Sequence, residues 1–409
     1  MRRTVISGIG IVAPNGLGTA SYWNAARKGI SGIRPIERFS PAKYATQVAG
    51  TVESFEVTDY ISKRLSVQTD RWTWLALAAT QMAFEDARFD PGAAEEFALS
   101  VVTASSSGGN QFGQREIQNL WSKGPGFVGA YQSIAWFYAA TTGQISIQHG
   151  CRGPFGVVVA EQAGGLDSLA VARRHIRHGV TAVIAGGTDS PLGPYALACQ
   201  ERSGMLASGA DQDIYRPFDA AACGYVPGEG GAILLVESAE STGKRGVSRT
   251  YAEVAGHAST QDAYHPTLPA PDGRQLARAM SLALRDAGAG PDEVDAVFAD
   301  GLGLPEADAA EVRAMHAVFG DRATSVPVTV PKSMAGRLYA GGSSLDAATA
   351  ALALASGELP PTINFRHPAP GCDLDIVTET RSLPLRTVLV VARGAGGFNS
   401  ALVLRKTAE

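Results

Sequence analysis

Residues 157–169 read VVVAEQAGGLDSL, and this stretch predicts a short strand, a sharp turn and the beginning of a helix. The apolar run stops at Glu161, Gln162 follows, and two glycines lead into the helix. Many enzymes place a nucleophile at such a turn, because the backbone N–H groups and the dipole at a helix N-terminus favour an anion. A glutamine is not a nucleophile, so the chain has the turn of an active site without its attacking group.

Strand-like and helix-like segments alternate along the whole chain, which predicts an α/β fold. Continuous apolar runs predict strands covered on both faces at residues 181–187 (TAVIAGG), 231–237 (GAILLVE) and 387–391 (TVLVV). Residues 273–290 (GRQLARAMSLALRDAGAG) predict an amphipathic helix that stops at Gly288.

The chain also resembles itself. TAVIAGGTDS near residue 185 is similar to TVLVVARGAGGFNS near residue 395, since both are apolar strands that run into glycine-rich or polar turns. VISGIGIVAPNG at the start parallels YAEVAGHAST at Tyr251. These echoes predict two related halves, residues 1–250 and 251–409, that meet at the polar connector SAESTGKRGVSRT.

Composition excludes several classes of function. The chain has 409 residues, 45% of them hydrophobic, and a formal net charge of -4, which gives no signature of nucleic-acid binding. No apolar run reaches the roughly 18 residues that a membrane helix needs, and the N-terminus is more typical of a strand and turn than of a signal peptide. The cysteines match neither a zinc site nor a disulfide framework, which favours reduced thiols in the cytoplasm; they are Cys151, Cys199, Cys223 and Cys372.

Several motifs in a fixed order resemble the β-ketoacyl synthases. They are GIGIVAPNGLG, the turn at Gln162, PFDAAACGYVPGEGGAILLVE, VFADGLGLPEADAAE, VPKSMAGRLYAGGSSLDAA and ARGAGGFNSALVL. The resemblance implies an α/β thiolase fold, with five layers in the order αβαβα built from two related βαβαβαββ halves, and a required dimer.

The catalytic positions of that family are changed. A condensing ketosynthase has cysteine where Gln162 stands, and histidines where Asp300 and Arg337 stand; Lys332 alone remains. Thiolate attack, oxyanion stabilisation and decarboxylation depend on the missing groups, so ordinary condensation on this chain is excluded. The opposite charges of Asp300 and Arg337 predict an ion pair in the same pocket.

AEQAGGLDSL and AYQSIAWFYAATTGQISIQHGCRGP are similar to the chain length factors, or ketosynthase β subunits, of bacterial type II aromatic polyketide synthases. This resemblance implies a ketosynthase α subunit as partner in a heterodimer or heterotetramer, and a role in an acyltransferase complex that sets the number of malonyl extensions. An acyl carrier protein would deliver substrate on its phosphopantetheine arm, and no cofactor or metal would be bound directly. The amide of Gln162, which has the shape of an acylated thiol, would assist malonyl decarboxylation for priming.

The resemblance also implies roles for other residues. On a helix predicted from residue 110 to 121, Asn110, Gly113 and Ile117 would line and gate a tunnel between the subunits, with Gly113 and Ile117 leaving room for a medium-to-long product. Aromatic side chains at the partner interface would include Tyr131, Phe137 and Tyr138.

Three arginines on one predicted helix allow two interpretations. They form a solvated face or a landing site for an acidic carrier protein, and they are Arg173, Arg174 and Arg177. Two other functions also stay open for the chain as a whole. One is an independent thiolase-fold decarboxylase or hydrolase that uses Gln162 and Lys332, and the other is a purely structural partner subunit.

Overall fold

A mixed sheet with helices on both faces organises the chain, and a computed structural model describes residues 2–247 and 249–407. The strands are β1 (Thr4–Ala13), β2 (Gly16–Leu17), β3 (Ile33–Pro35), β4 (Val48–Gly50), β5 (Leu99–Ala104), β6 (Phe155–Val158), β7 (Ala182–Asp189), β8 (Gly230–Ser238), β9 (Ala252–Gln261), β10 (Ala296–Phe298), β11 (Pro327–Thr329), β12 (Glu358–Leu359), β13 (Asp375–Ile376), β14 (Arg381–Ser382), β15 (Thr387–Gly394) and β16 (Phe398–Arg405). The α-helices are α1 (Thr19–Arg27), α2 (Lys63–Gln68), α3 (Arg71–Ala87), α4 (Asn110–Lys123), α5 (Gln132–Ala135), α6 (Ala140–His149), α7 (Gly164–Arg177), α8 (Pro194–Glu201), α9 (Ala239–Lys244), α10 (Arg274–Ala287), α11 (Pro305–Phe319) and α12 (Ala340–Ser356).

The order of the main strands occurs twice. In the first half it is β6-β5-β7-β8-β1, and in the second half it is β11-β10-β15-β16-β9. In each half, four strands are parallel to one another and the last strand in sequence, β8 or β16, is antiparallel to its neighbours. The segments that echo one another in the sequence are equivalent strands: β7 matches β15, and β1 matches β9. The halves join where Val5 pairs with Glu253 and Ile6 with Ala252.

Helices α7 and α12 form the middle layer. Helix α7 packs on β5, β6 and β7 of one half and on β9 and β16 of the other, while α12 contacts β7, β8 and β15. Every residue from Ala340 to Leu354 of α12 is buried, and most of these side chains are small. Small side chains allow the close approach that this layer requires: a methyl group on Gly165 of α7 would lie 2.5 Å from the backbone nitrogen of Ser344.

The outer layers complete the predicted αβαβα order. Helix α3 covers β1 and β8, and α10 covers β9 and β16. Helix α10 buries the face predicted from its periodicity and ends at Gly288, whose φ of 63° is left-handed; the buried residues are Leu276, Ala279, Met280, Ala283 and Leu284. The predicted buried strands are β7, β8 and β15, each longer than its apolar run. Within residues 2–247 and 249–407, no helix has both the length and the apolar character for crossing a membrane.

Candidate functional site

The turn after β6 holds Gln162 in a closed position. Glu161 adopts a φ of 49°, a left-handed conformation that favours glycine, and α7 begins three residues later at Gly164. The Gln162 side chain is fully buried, and a methyl group on Gly342 would lie 2.6 Å from its Oε1 atom. Among the described residues neither amide atom of Gln162 has a hydrogen-bond partner. An unpaired buried polar group costs about 1–3 kcal/mol, so this position carries an energetic cost.

Asp300 and Arg337 form the predicted ion pair. Nη1 of Arg337 lies 3.3 Å from Oδ1 and 3.3 Å from Oδ2 of Asp300, and both side chains are buried. Nη2 of Arg337 lies 3.3 Å from Oε2 of Glu161 and also donates to the carbonyl oxygen of Arg393. Burial lowers the pKa of Arg337, but the charges of Asp300 and Glu161 outweigh it and hold the pKa well above its ordinary value.

Further charged groups surround this pair. The backbone nitrogen of Arg393 donates to Asp300 Oδ1 at 3.1 Å, and that of Ala395 donates to Glu161 Oε2 at 2.9 Å. Glu311 of α11 accepts hydrogen bonds from the backbone nitrogens of Asp300 at 2.8 Å and Gly301 at 2.9 Å. We call Glu161, Asp300, Arg337 and Arg393 the buried charge network.

Two buried acids of α11 lie beside the network. Burial and the charge of Asp300 raise the pKa of Glu311. Burial raises the pKa of Asp308 to about 8, although its carboxylate accepts backbone hydrogen bonds from Phe218 at 2.8 Å and Gly303 at 3.0 Å. No sequence motif assigned a role in the site to Glu161, Arg393, Asp308 or Glu311. The sequence held one signal for the two acids of α11, since Asp308 and Glu311 stand among the alanines and valine of residues 307–312.

Lys332 holds the backbone below the network. Its Nζ lies 2.6 Å from Oδ2 of Asp346 and donates to the carbonyl oxygens of Ala299 at 2.8 Å and Asp300 at 3.1 Å. Burial raises the pKa of Asp346 to about 6, because it outweighs the attraction of Lys332. Lys332 therefore fixes the loop that carries Asp300.

A cavity of about 170 Å³ opens onto the network. Its lining includes Glu161, Arg337 and Arg393, together with Tyr225 and Tyr339. Neither Gln162 nor Lys332 lines this cavity, so it does not bring together the two residues that an independent decarboxylase or hydrolase would use. Of the three changed catalytic positions, the cavity lining includes Arg337, whose charge is balanced by Glu161 and Asp300.

Helix α4 carries the three residues assigned to the tunnel. Asn110 is its first residue, Gly113 is buried, and Ile117 is 50% exposed. The prediction that Gly113 leaves room was wrong. A methyl group on Gly113 would lie 3.0 Å from Cδ1 of Trp136, so the indole of that residue already occupies the space.

Apolar side chains are exposed around α4 and β6. Of the predicted interface residues, Tyr131 and Phe137 are exposed, and Tyr138 is half-buried with its ring 6.2 Å from that of Trp136. Other exposed members of this surface, which we call the apolar face, are Trp121, Phe127, Ile134, Trp136 and Phe155. Among the residues that the structure describes, strand β6 pairs with β5 alone and ends the sheet. An exposed apolar surface beside a free strand edge is typical of an interaction site.

The three arginines of α7 do not share one face. Arg173 is buried, pairs with Asp286 and donates to the carbonyl oxygen of Ala255, because its side chain points from α7 toward the second half. Both interpretations of Arg173 were therefore wrong. Arg174 is exposed and Arg177 is half-buried, and their proposed contact with a carrier protein stays a prediction.

Comparisons with known proteins agree with this geometry. The family model described as "Beta-ketoacyl synthase, N-terminal domain" matches residues 1–241, and the "Beta-ketoacyl synthase, C-terminal domain" matches residues 251–366. The tetracenomycin polyketide synthase ketoacyl synthase beta subunit of Streptomyces glaucescens is 51% identical over 405 residues, which cover 98% of each chain.

Two solved structures are similar over the whole chain. The ishigamide ketosynthase/chain length factor has a TM-score of 0.93 and 30% identity, with 100% of both chains covered. A type II polyketide synthase acyl-carrier protein in complex with its ketosynthase bound to the hexaketide has a TM-score of 0.91 and 30% identity, with 99% of this chain and 100% of the other covered. The chain belongs to the β-ketoacyl synthase family, in the group of polyketide ketosynthase β subunits, or chain length factors.

Proposed function

We propose that this chain is the non-condensing chain length factor of a type II polyketide synthase and sets the number of malonyl extensions. The observation that carries the proposal is the state of the catalytic positions. Gln162 is buried where the nucleophile would stand, and Asp300 and Arg337 neutralise one another where the histidines would stand. The chain therefore needs a partner with intact cysteine and histidines, and acts by shaping the space around the growing product.

The partner we propose is the ketosynthase α subunit. The apolar face and the free edge of β6 supply a surface for it, and the solved ketosynthase/chain length factor supports a heterodimer. Association of two such pairs into a heterotetramer is a further proposal. Aromatic residues are enriched at stable interfaces, and the exposed aromatic side chains of the apolar face agree with this enrichment.

An acyl carrier protein is the second proposed partner. A solved relative is a carrier protein in complex with its ketosynthase, which supports delivery of malonyl groups on a phosphopantetheine arm. Gln162 would assist priming, since its neutral amide resembles an acylated thiol in shape. All four cysteines are free in the structure, which favours the reducing cytoplasm as the compartment of this complex.

Product mass tests chain-length control directly. The chain is co-expressed with its ketosynthase, and carrier protein and a malonyl donor are then supplied. The mass of the released polyketide is measured by mass spectrometry for wild type and Ile117→Trp. We expect a 1:1 complex and a product shorter by at least one malonyl unit, because the indole narrows the tunnel beside α4.

Ile30→Trp is the matched control, since Ile30 is 49% exposed and lies far from α4 in the sequence. It should leave the product unchanged. Equal product length in all three proteins would contradict chain-length control and leave a structural partner. Turnover of malonyl carrier protein by the purified chain alone would instead support an independent decarboxylase or hydrolase.

A further inference from the structure

The indole of Trp136 occupies the space that Gly113 leaves on α4. A methyl group on Gly113 would lie 3.0 Å from Cδ1 and 3.7 Å from Nε1 of Trp136, and 3.7 Å from Nε2 of Gln132. Any larger side chain at Gly113 would have to displace the indole. Trp136, on the segment after α5, therefore packs into the space that the missing side chain of Gly113 leaves on α4.

Trp136 lies on the same side of α4 as Ile117. Residues 113 and 117 are four apart, so they lie one above the other on the helix surface. Trp136, a member of the apolar face, is 48% exposed, and Ile117 of α4 is 50% exposed. Covering that face with a second subunit would enclose the indole and Ile117 in one space between the chains.

The backbone around Trp136 is held tightly against the start of α4. The backbone nitrogen of Gly109 donates to the carbonyl oxygen of Trp136 at 3.4 Å, and a methyl group on Gly109 would collide with the carbonyl oxygen of Ala135. Gly108 has a φ of 61°, and a methyl group there would lie 2.9 Å from the same Trp136 oxygen. The indole thus projects from a backbone that has little freedom to move relative to α4.

The side chain of Gln132 also lies beside Gly113, with its Nε2 atom 3.7 Å from the position of an added methyl group. Oε1 of Gln132 is buried and has no hydrogen-bond partner among the described residues. Buried polar atoms are almost always paired, so this oxygen is an acceptor without a donor among the described residues. An enol hydroxyl of a poly-β-ketone is a donor of the required kind, and the flat apolar face and N–H of an indole suit the rest of such a chain.

We propose that Trp136 is a specificity-determining residue, whose indole forms the wall that stops the growing polyketide beside Gly113. The proposal rests on the function proposed above, since it requires that the product runs along α4. In a chain whose Gly113 would otherwise leave an open groove, Trp136 takes over the steric role of a bulky residue on the helix. Gln132 accepts a hydrogen bond from the product next to that wall.

Substitution of Trp136 tests this directly by product mass in the complete complex. We expect Trp136→Ala to lengthen the product by at least one malonyl unit, and Trp136→Phe to give a length between those of wild type and Trp136→Ala. Phe97→Ala is the matched control, because Phe97 is an aromatic residue that is 66% exposed and is not part of the apolar face. It should leave the product length unchanged.

A double variant at Gly113 and Trp136 distinguishes a steric role of the indole in product length from a general effect on folding. We expect Gly113→Phe alone to reduce the yield of complex, because the ring and the indole need the same space. Gly113→Phe with Trp136→Ala should restore the yield and return the product to near wild-type length. If Trp136→Ala leaves the product length unchanged while Ile117→Trp still shortens the product, the role proposed for Trp136 is overturned and the proposed function stands. Unchanged length in both would overturn the proposed function as well.

Discussion

Arg337 is a fully charged side chain with 4% of its surface exposed, and its charge is balanced by Asp300 and Glu161. We expect Arg337→Ala to lower the free energy of unfolding by about 3–5 kcal/mol, because removing one member of a buried pair leaves an uncompensated charge. Replacing Asp300 by Asn and Arg337 by Met together should cost less than the single change, since no unpaired carboxylate remains at residue 300. Urea denaturation of the purified complex measures both, and equal losses would argue against the pair.

Gln162 breaks a rule that buried polar groups normally obey, because both of its amide atoms lack partners among the described residues. We expect Gln162→Leu to keep the complex folded and to raise its free energy of unfolding by about 1–3 kcal/mol, because the unpaired amide is removed. If the amide assists priming, formation of the acetyl starter should fall at the same time. Starter formation at the wild-type rate in Gln162→Leu would show that the residue only fills space.

Single residues could be predicted where a family motif places them. Gln162, Asp300 and Arg337 were identified from their motifs, and the pairing of the last two followed from their charges. The partners Glu161, Arg393 and Glu311 could not be found this way, because their contacts join positions that are far apart in the sequence. Arg173 shows the reverse error: its place on a basic helix suggested exposure, yet Asp286 of α10 holds it inside.

At the scale of elements, one buried carboxylate fixes the positions of several. Glu229 lies just before β8 and is fully buried. Its oxygens accept hydrogen bonds from Nη1 of Arg38 at 2.7 Å, Nε of Arg71 at the start of α3 at 2.9 Å, the backbone nitrogen of Val52 at 3.0 Å and Ser190 after β7 at 2.8 Å. Burial alone would raise the pKa of Glu229, but Arg38 and Arg71 hold it at about 2.

This pKa gives a prediction about acid. The ordinary value for glutamate is 4.5, so the stabilisation is fully present above pH 4.5 and is lost as the pH falls toward 2. One pKa unit corresponds to about 1.36 kcal/mol, so the shift is worth about 3 kcal/mol. We expect Glu229→Gln to destabilise the protein at pH 7 and to flatten its loss of stability between pH 4.5 and about pH 2, which is the window of this titration. Urea denaturation at each pH measures the free energy of unfolding, and the substitution Glu37→Gln at an exposed position is the control. Parallel curves of stability against pH for wild type and Glu229→Gln would contradict the prediction.

Helices and strands with a regular apolar pattern could be predicted from the sequence, whereas the contacts between these elements could not. Periodicity was enough for α10, because its buried face depends on local spacing. The helix of α4 was also predicted, but the occupation of its Gly113 groove was not, because the indole comes from a separate segment. Which apolar residues stay exposed is likewise a property of packing between elements, and the half-exposed Trp136 gave no local signal.

For the whole molecule, the weak internal repeat was the most informative sequence signal. Two short echoes predicted a duplicated unit, and the structure has the same strand order in each half. The sequence did not predict how the halves meet. Among the described residues, the two halves of the sheet share two paired positions between β1 and β9, and α7 and α12 supply further contacts between the halves.

The buried charge network also bears on how this subunit can change over generations. Returning Arg337 to histidine would leave the carboxylates of Asp300 and Glu161 without the cation that neutralises them, and returning Asp300 alone would remove one of the two carboxylates that pair with Arg337. Each single reversion passes through a protein with a mismatched buried charge, which selection for folding would remove. A complete set of one cysteine and two histidines would require changes at Gln162, Asp300 and Arg337 together, so we expect the chemistry of the proposed complex to stay with its partner subunit.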